Sequence, residues 1–199
     1  MDDLLKRYPK TLARQIMLRP MEASDEGALL AFFKRIPVDE RQLFREDVTQ
    51  IPVIRGWIRH LDFECVLPIL AFVGPRIVAD ATLHRDRGGW ARHLGKIRLT
   101  LDPDFRHQGL ARLLVQEFID LAKALGIAVL EAEVLDIQRE ACLLFEDMDF
   151  QCVATLPQHA IDLAGRVHDM QLYAQTIHLP EGLAPEAKLA EADADVGGG

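Results

Sequence analysis

Apolar residues recur at three- and four-residue intervals between Leu110 and Leu125, at Leu110, Leu113, Leu114, Phe118, Leu121, Ala122 and Leu125. Arg112, Gln116, Glu117, Asp120 and Lys123 fall on the other side, so the pattern predicts an amphipathic helix, closed by Gly126. A period of two replaces this just upstream. Ile97, Leu99 and Leu101 alternate with Lys96, Arg98 and Thr100, which predicts a strand over 96–101. Further strands are expected at Arg14–Met21, at Cys65–Val73 and Arg76–Leu83 around a Gly74-Pro75 turn, at Ala128–Leu135, at Phe150–Leu156 and at Val167–Ile177. Helices are expected from a Ser24 cap to Ile36, from Asp39 to Val48, from Pro52 to about Leu61 and from Gln138 to Asp147. Strands separated by single helices, with hairpins at both ends, predict an α/β protein: a mixed sheet with helices on its faces.

The 199 residues suit one domain, which the pattern places at 14–178 after an N-terminal extension, 1–13. Residues 180–199 contain few large apolar side chains and read as an acidic flexible tail. The tail's five acidic residues against Lys188 give it −4 of the net −8, so the body is only mildly acidic. That balance excludes a general nucleic-acid binder or a membrane-surface binder. The longest apolar run, Cys65–Val73, is far too short to span a bilayer, and no secretory signal opens the chain. Cys65, Cys142 and Cys152 form no C-x-x-C pair and read as reduced core residues of a cytoplasmic protein. The seven scattered histidines make no metal-ligand cluster, so no metal is expected.

The chemistry-bearing segment runs from Leu99 to Leu114. A strand ends at Asp102-Pro103 and turns, through Arg106-His107-Gln108-Gly109-Leu110-Ala111, into the amphipathic helix. The first amides of a helix are unpaired and sit at the positive end of its dipole, so they attract anions. Gly109 lets a ligand approach the backbone, Ala111 keeps the next position clear, and Arg106 and His107 add positive character. The segment reads as a cradle for a pyrophosphate. No G-x-G-x-x-G occurs, and Gly89…Gly95-Lys96 misses a P-loop by one residue of spacing and by Ile97 in place of Ser/Thr.

Here the chain resembles the GNAT superfamily of acyl-CoA N-acyltransferases. Arg106-His107-Gln108-Gly109-Leu110-Ala111 matches the R/Q-x-x-G-x-G/A motif of that family. Leu144-Phe145-Glu146-Asp147-Met148-Asp149-Phe150 follows its L-Y-E-x-x-G-F pattern, and Leu18-Arg19-Pro20 before an acidic helix start is also typical. The resemblance implies a mostly antiparallel mixed sheet with a splayed central strand. It also implies acetyl-CoA, or another acyl-CoA, as donor, and a primary amine of a small molecule or protein as acceptor. The pantetheine arm would lie along 96–101, held by backbone groups of Leu99 and Leu101, while the amides of 106–111 hold the pyrophosphate. Gln138 stands at the family's Asn and can still hydrogen-bond the pantetheine. The acceptor would lie between the helices of 25–61 and the loop 157–166. A homodimer is compatible with the resemblance.

The amine must lose a proton. Presenting an alkylamine as free base at pH 7 costs about 4.6 kcal/mol, which a nearby carboxylate can offset as general base. Glu133 stands where some relatives carry that residue, and Glu131, on the same face by alternation, is the reserve. Where protein-acetylating relatives often carry a Glu, this chain has Lys96. Phe145 occupies the position of the tyrosine that commonly protonates the CoA thiolate, and Phe has no proton to give. Tyr173 is a substitute donor by type, although a strand tyrosine is more simply explained by packing. A catalyst and a non-catalytic acyl-CoA sensor therefore both remain open.

Overall fold

The computed structural model describes residues 1–12 and 16–179. Among them eight strands make one sheet: β1 (Lys10–Leu12), β2 (Ile16–Pro20), β3 (Val66–Val73), β4 (Arg76–Arg85), β5 (Leu94–Leu101), β6 (Val129–Leu135), β7 (Gln151–Ile161) and β8 (Val167–Thr176). The spatial order is β1-β2-β3-β4-β5-β6-β8-β7. Every neighbouring pair is antiparallel except β5 and β6. The helices are α1 (Asp2–Leu5), α2 (Glu26–Arg35), α3 (Val38–Arg41), α4 (Ile51–Arg59), α5 (Leu110–Leu125) and α6 (Arg139–Asp147).

The alternation in the strands decides which helix covers which face. Ala79, Ala81 and Leu83 of β4 and Ile97 of β5 share one buried cluster with Leu114, Phe118 and Leu121 of α5. Leu70 and Phe72 of β3 and Ile77 of β4 cluster instead with Leu29, Phe32 and Phe33 of α2 and Ile54 of α4. Burying a large side chain such as Phe118 contributes roughly 2–3 kcal/mol, so each face is secured by its own helices. Near the middle of the sheet the α2–α4 face turns polar, with Asp80, Thr82 and His84 in register with Thr100, Arg98 and Lys96.

β5 and β6 are paired over three positions only: Leu94 with Val129, Gly95 with Leu130 and Lys96 with Glu131. Beyond Lys96 they diverge, leaving that edge of Ile97–Leu101 without a partner strand. Gly95 makes the close junction feasible. A Cβ at this residue would lie 3.0 Å from Leu83 Cδ1 and 3.1 Å from both Ile127 Cγ2 and Leu130 Cδ2.

Several local expectations need correction. The helix expected over 39–48 is confined to Val38–Arg41, because Phe44 turns inward to pack edge-on against Phe33 at 5.6 Å and Val48 is buried. Half of the expected loop 157–166 is strand: β7 continues to Ile161, pairing Ala160 with His168 and Ile161 with Val167, and the connection is confined to 162–166. Ser24 is not the cap of α2. It lies in a short 3-10 turn closed by Asp25, whose carboxylate accepts from Glu22 N at 2.8 Å and is gripped by both terminal nitrogens of Arg19. Cys152 is exposed on edge strand β7, so it is not a core thiol, and all three cysteines are free. Of the first expected strand, Arg14 and Gln15 lie outside the described residues, as does the whole tail 180–199.

Candidate active site

The loop between β5 and α5 begins at Asp102. Its carboxylate is buried and accepts from Asp104 N, from Arg35 and from Arg76, which fixes where the chain leaves the sheet. Burial raises the pKa of Asp102, but the two arginines outweigh it and hold the carboxyl below its ordinary range. His107 and Gly109 then adopt left-handed backbone conformations, φ +55° and +83°. Gly109 is the residue preceding α5, and no side chain caps the helix. A Cβ at Gly109 would meet nothing within 4 Å. The first turn of a long helix is thus presented to open space by a glycine that both its φ and its exposure favour. A groove of about 470 Å³ runs alongside, lined by Phe105, Gln108, Gly109, Leu110, Arg112 and Met148 among others.

The side chains around this cradle are less positive than their residue types suggest. Arg106 is held in a two-pronged ion pair by Glu40 of α3, both contacts 2.7 Å, and also donates to the carbonyl of Leu101 at 3.2 Å. His107 is exposed, 3.7 Å from Glu140. The positive potential at this turn therefore comes chiefly from the helix N-terminus. Leu110 is buried in the core and can offer only its backbone, while Ala111 is partly buried. The side chain of Gln108 donates to Asp104 O at 2.8 Å.

Leu99 and Leu101 pack their side chains on the α5 cluster, while their backbones belong to the free edge of the splay. Gln138, immediately before α6, uses its side-chain oxygen to accept from Leu135 N at 2.9 Å. Its amide nitrogen keeps its donors. Phe145 is buried between Phe150 and Tyr173, with ring centroids 5.1 and 6.0 Å away. It is a core residue, and a tyrosine-like role there is chemically closed. Tyr173 is also buried, and its hydroxyl donates to Glu146 at 3.0 Å. Burial is the main cause that pushes its pKa up. Asp149, at the usual glycine of that pattern, has φ +64°, a left-handed conformation that Asp tolerates better than most residues.

Glu133 stands on β6 where the strands part. One carboxylate oxygen takes Lys96 Nζ from β5; the other takes Arg45 Nη2 at 2.6 Å, from the turn after α3. Burial pushes its pKa up, but Lys96, Arg45 and Arg98 together hold it below the ordinary range. Glu131 shares the face and makes no ion pair among the described residues. Arg45 gave no signal in the sequence, because only the tertiary fold carries its turn across to β6. Asp80 was equally silent: it is buried on the same polar face with Oδ1 unpartnered, and burial pushes its pKa up to about 7.

A sheet that opens at one parallel junction, beside an uncapped glycine-led helix, is the arrangement that the resemblance to acyl-CoA N-acyltransferases implies. The comparisons agree with that class. The acetyltransferase (GNAT) family matches residues 29–150, and the chain belongs to this family. It is 29% identical over 93 residues to a thialysine N-epsilon-acetyltransferase of Caenorhabditis elegans, a match spanning 46% of this chain and 58% of the nematode enzyme. The fold is similar to that of a ribosomal-protein-S5-alanine acetyltransferase from Vibrio fischeri. There the TM-score is 0.75 at 13% identity, over 85% of this chain and 96% of the other. It is also similar to a putative acetyltransferase from Salmonella typhimurium solved with acetyl-CoA, with TM-score 0.68, 18% identity, and 86% and 98% coverage. Among the described residues no helix is long and apolar enough to cross a membrane, and no cluster of His, Cys, Asp and Glu could hold a metal.

Proposed function

We propose that this protein transfers an acetyl group from acetyl-CoA to a primary amine within a ternary complex. The observation that carries the reading is the free edge of Ile97–Leu101 leading to the open N-terminus of α5. The pantetheine arm adds to that edge as a strand would, through the backbones of Leu99 and Leu101. The amides of residues 106–111 receive the pyrophosphate, and Gln138 donates to the arm. The amine nitrogen attacks the thioester carbon, the C–N bond forms, and the C–S bond breaks. CoA leaves as thiolate. With Phe145 and Tyr173 both committed to the core, the thiolate takes its proton from solvent. Leaving as the thiolate instead of the thiol costs about 2 kcal/mol at pH 7 for a thiol of ordinary pKa.

Glu133 accepts the proton that the nitrogen sheds. Its lowered pKa makes it a weak base for a free ammonium ion, but the nitrogen becomes acidic once it bonds to the carbonyl carbon. Glu131, without an ion pair, is the reserve. The test is a thiol-release assay with acetyl-CoA and a panel of amines, alongside calorimetric binding of acetyl-CoA. Release with at least one amine supports the transferase. Tight binding with no release favours the non-catalytic sensor, the reading to which the buried Phe145 points. No binding would refute both.

A further inference from the structure

On the polar face beside the splay, three basic side chains meet. Lys96 and Arg98 project from β5, and Arg45 reaches in from the turn after α3. Glu133 neutralises one charge and is shared between Lys96 and Arg45. Counting Glu131 as well still leaves one positive charge in excess. Arg98 is the unmatched group: it is exposed and makes no side-chain ion pair or hydrogen bond among the described residues. Partial burial and the neighbouring Arg45 both pull its pKa down. His84, in register with Lys96 and bonded to Thr82 at 3.0 Å, does not add charge. Burial and then Arg98, Arg45 and Lys96 push its pKa down to about 4.

The segment 38–47 is tied down beside this face at three points. Glu40 grips Arg106, the carbonyl of Gln42 accepts from Leu163 N at 2.8 Å, and Arg45 reaches Glu133. An exposed, unmatched guanidinium in a patch with excess positive charge suits an acceptor that carries a negative group. A guanidinium also recognises a carboxylate through two parallel hydrogen bonds.

We propose that the acceptor is a small amino acid-type amine whose carboxylate is bound by Arg98. The inference rests on the transferase reading above and specifies its substrate class. A polycation is disfavoured because Arg45, Lys96 and Arg98 would all repel it. Arg98 lies three residues along β5 from Leu101, at roughly 3.3 Å per residue, so its place is in the splay and away from the pyrophosphate cradle.

The experiment compares each amino acid with its decarboxylated amine: lysine with 1,5-diaminopentane, and phenylalanine with 2-phenylethylamine. A lysine peptide blocked at both ends is included. The expected result is a kcat/KM at least tenfold higher for the amino acid of a productive pair. In Arg98→Gln that ratio falls toward one, chiefly through KM, and Arg98→Lys retains part of it. The proposal is overturned if wild type uses both members of each pair equally, prefers the decarboxylated amine or the blocked peptide, or keeps its ratio in Arg98→Gln. Lost acetyl-CoA affinity in Arg98→Gln, with the ratio unchanged, would assign the residue to the donor and also overturn it. No thiol release from any compound would instead refute the transferase reading itself.

Discussion

Asp80 provides a quantitative test of the polar sheet face. It is a carboxyl on central strand β4, 9% exposed, with one oxygen unpartnered and a pKa pushed up to about 7 by burial alone. In the unfolded chain the same group titrates near its ordinary value of about 3.9. Below about pH 4 it is protonated in both states and adds no pH dependence. Between about pH 4 and pH 7 the unfolded chain releases a proton that the folded one keeps, so stability falls as pH rises. Three units at 1.36 kcal/mol each give a loss of about 4 kcal/mol by pH 8, an upper bound because relaxation and water entry reduce it. Asp80→Asn removes the titration. At low pH the variant should be destabilised by about 1–2 kcal/mol, since the amide brings in donors that need partners. Above pH 7 it should equal or exceed wild type. Urea unfolding of both proteins at several pH values from about 4.5 to 8.5 isolates Asp80 as the difference between two curves. A difference constant across that range would refute the argument that a buried, unpaired carboxyl is present.

The cradle and its supports yield further expectations. Gly109→Glu puts a β-branchless but bulky acid on a +83° φ and into the space before α5. Acetyl-CoA binding should be lost in calorimetry, and retained affinity would remove the cradle assignment. Glu40→Gln frees Arg106 from its ion pair and should tighten acetyl-CoA binding about threefold, a partly exposed pair being worth under about 1 kcal/mol. Glu133→Gln should lower kcat by at least tenfold with little change in acetyl-CoA affinity, and full activity would exclude this base. Glu117 is buried in α5 and ties down Tyr8 and Lys10. Glu117→Ala should cost about 2–3 kcal/mol and speed hydrogen exchange in β1 first; uniform exchange would show that this cluster does not anchor the N-terminal segment.

The local patterns were legible where a single element settles its own burial. The alternation of Ile97, Leu99 and Leu101 and most of the α5 stripe reappear, because each apolar stripe needs only one partner surface, although Leu113 is exposed and Glu117, expected on the outward side, is buried. The Gly109-x-Ala111 turn was legible too, since a left-handed residue before a helix restricts the side chains allowed there. Segments whose conformation is set by distant contacts were misread. Residues 42–48 have helical composition, yet Phe44, Glu46 and Val48 are drawn to α2 and α4, with Trp57 donating to Glu46 at 2.9 Å. The strand expected to end at Leu156 runs on, because pairing with β8 resumes after the irregularity between Leu156 and Ala160.

Taken alone, the sequence established an α/β fold, a glycine-containing turn at 106–111 that leads into a long helix, and two carboxylates on one face of one strand. It also carried a family resemblance in ordered motifs. The tertiary structure decided how those charges are matched. It spends the positive charge of Arg106 on Glu40, binds Glu133 between Lys96 and Arg45, buries Phe145, isolates Asp80 and leaves Arg98 unpaired. The reason is physical. Backbone geometry and apolar period are short-range properties written in neighbouring residues, whereas the electrostatic state of a side chain depends on which distant charges folding brings within a few ångströms of it.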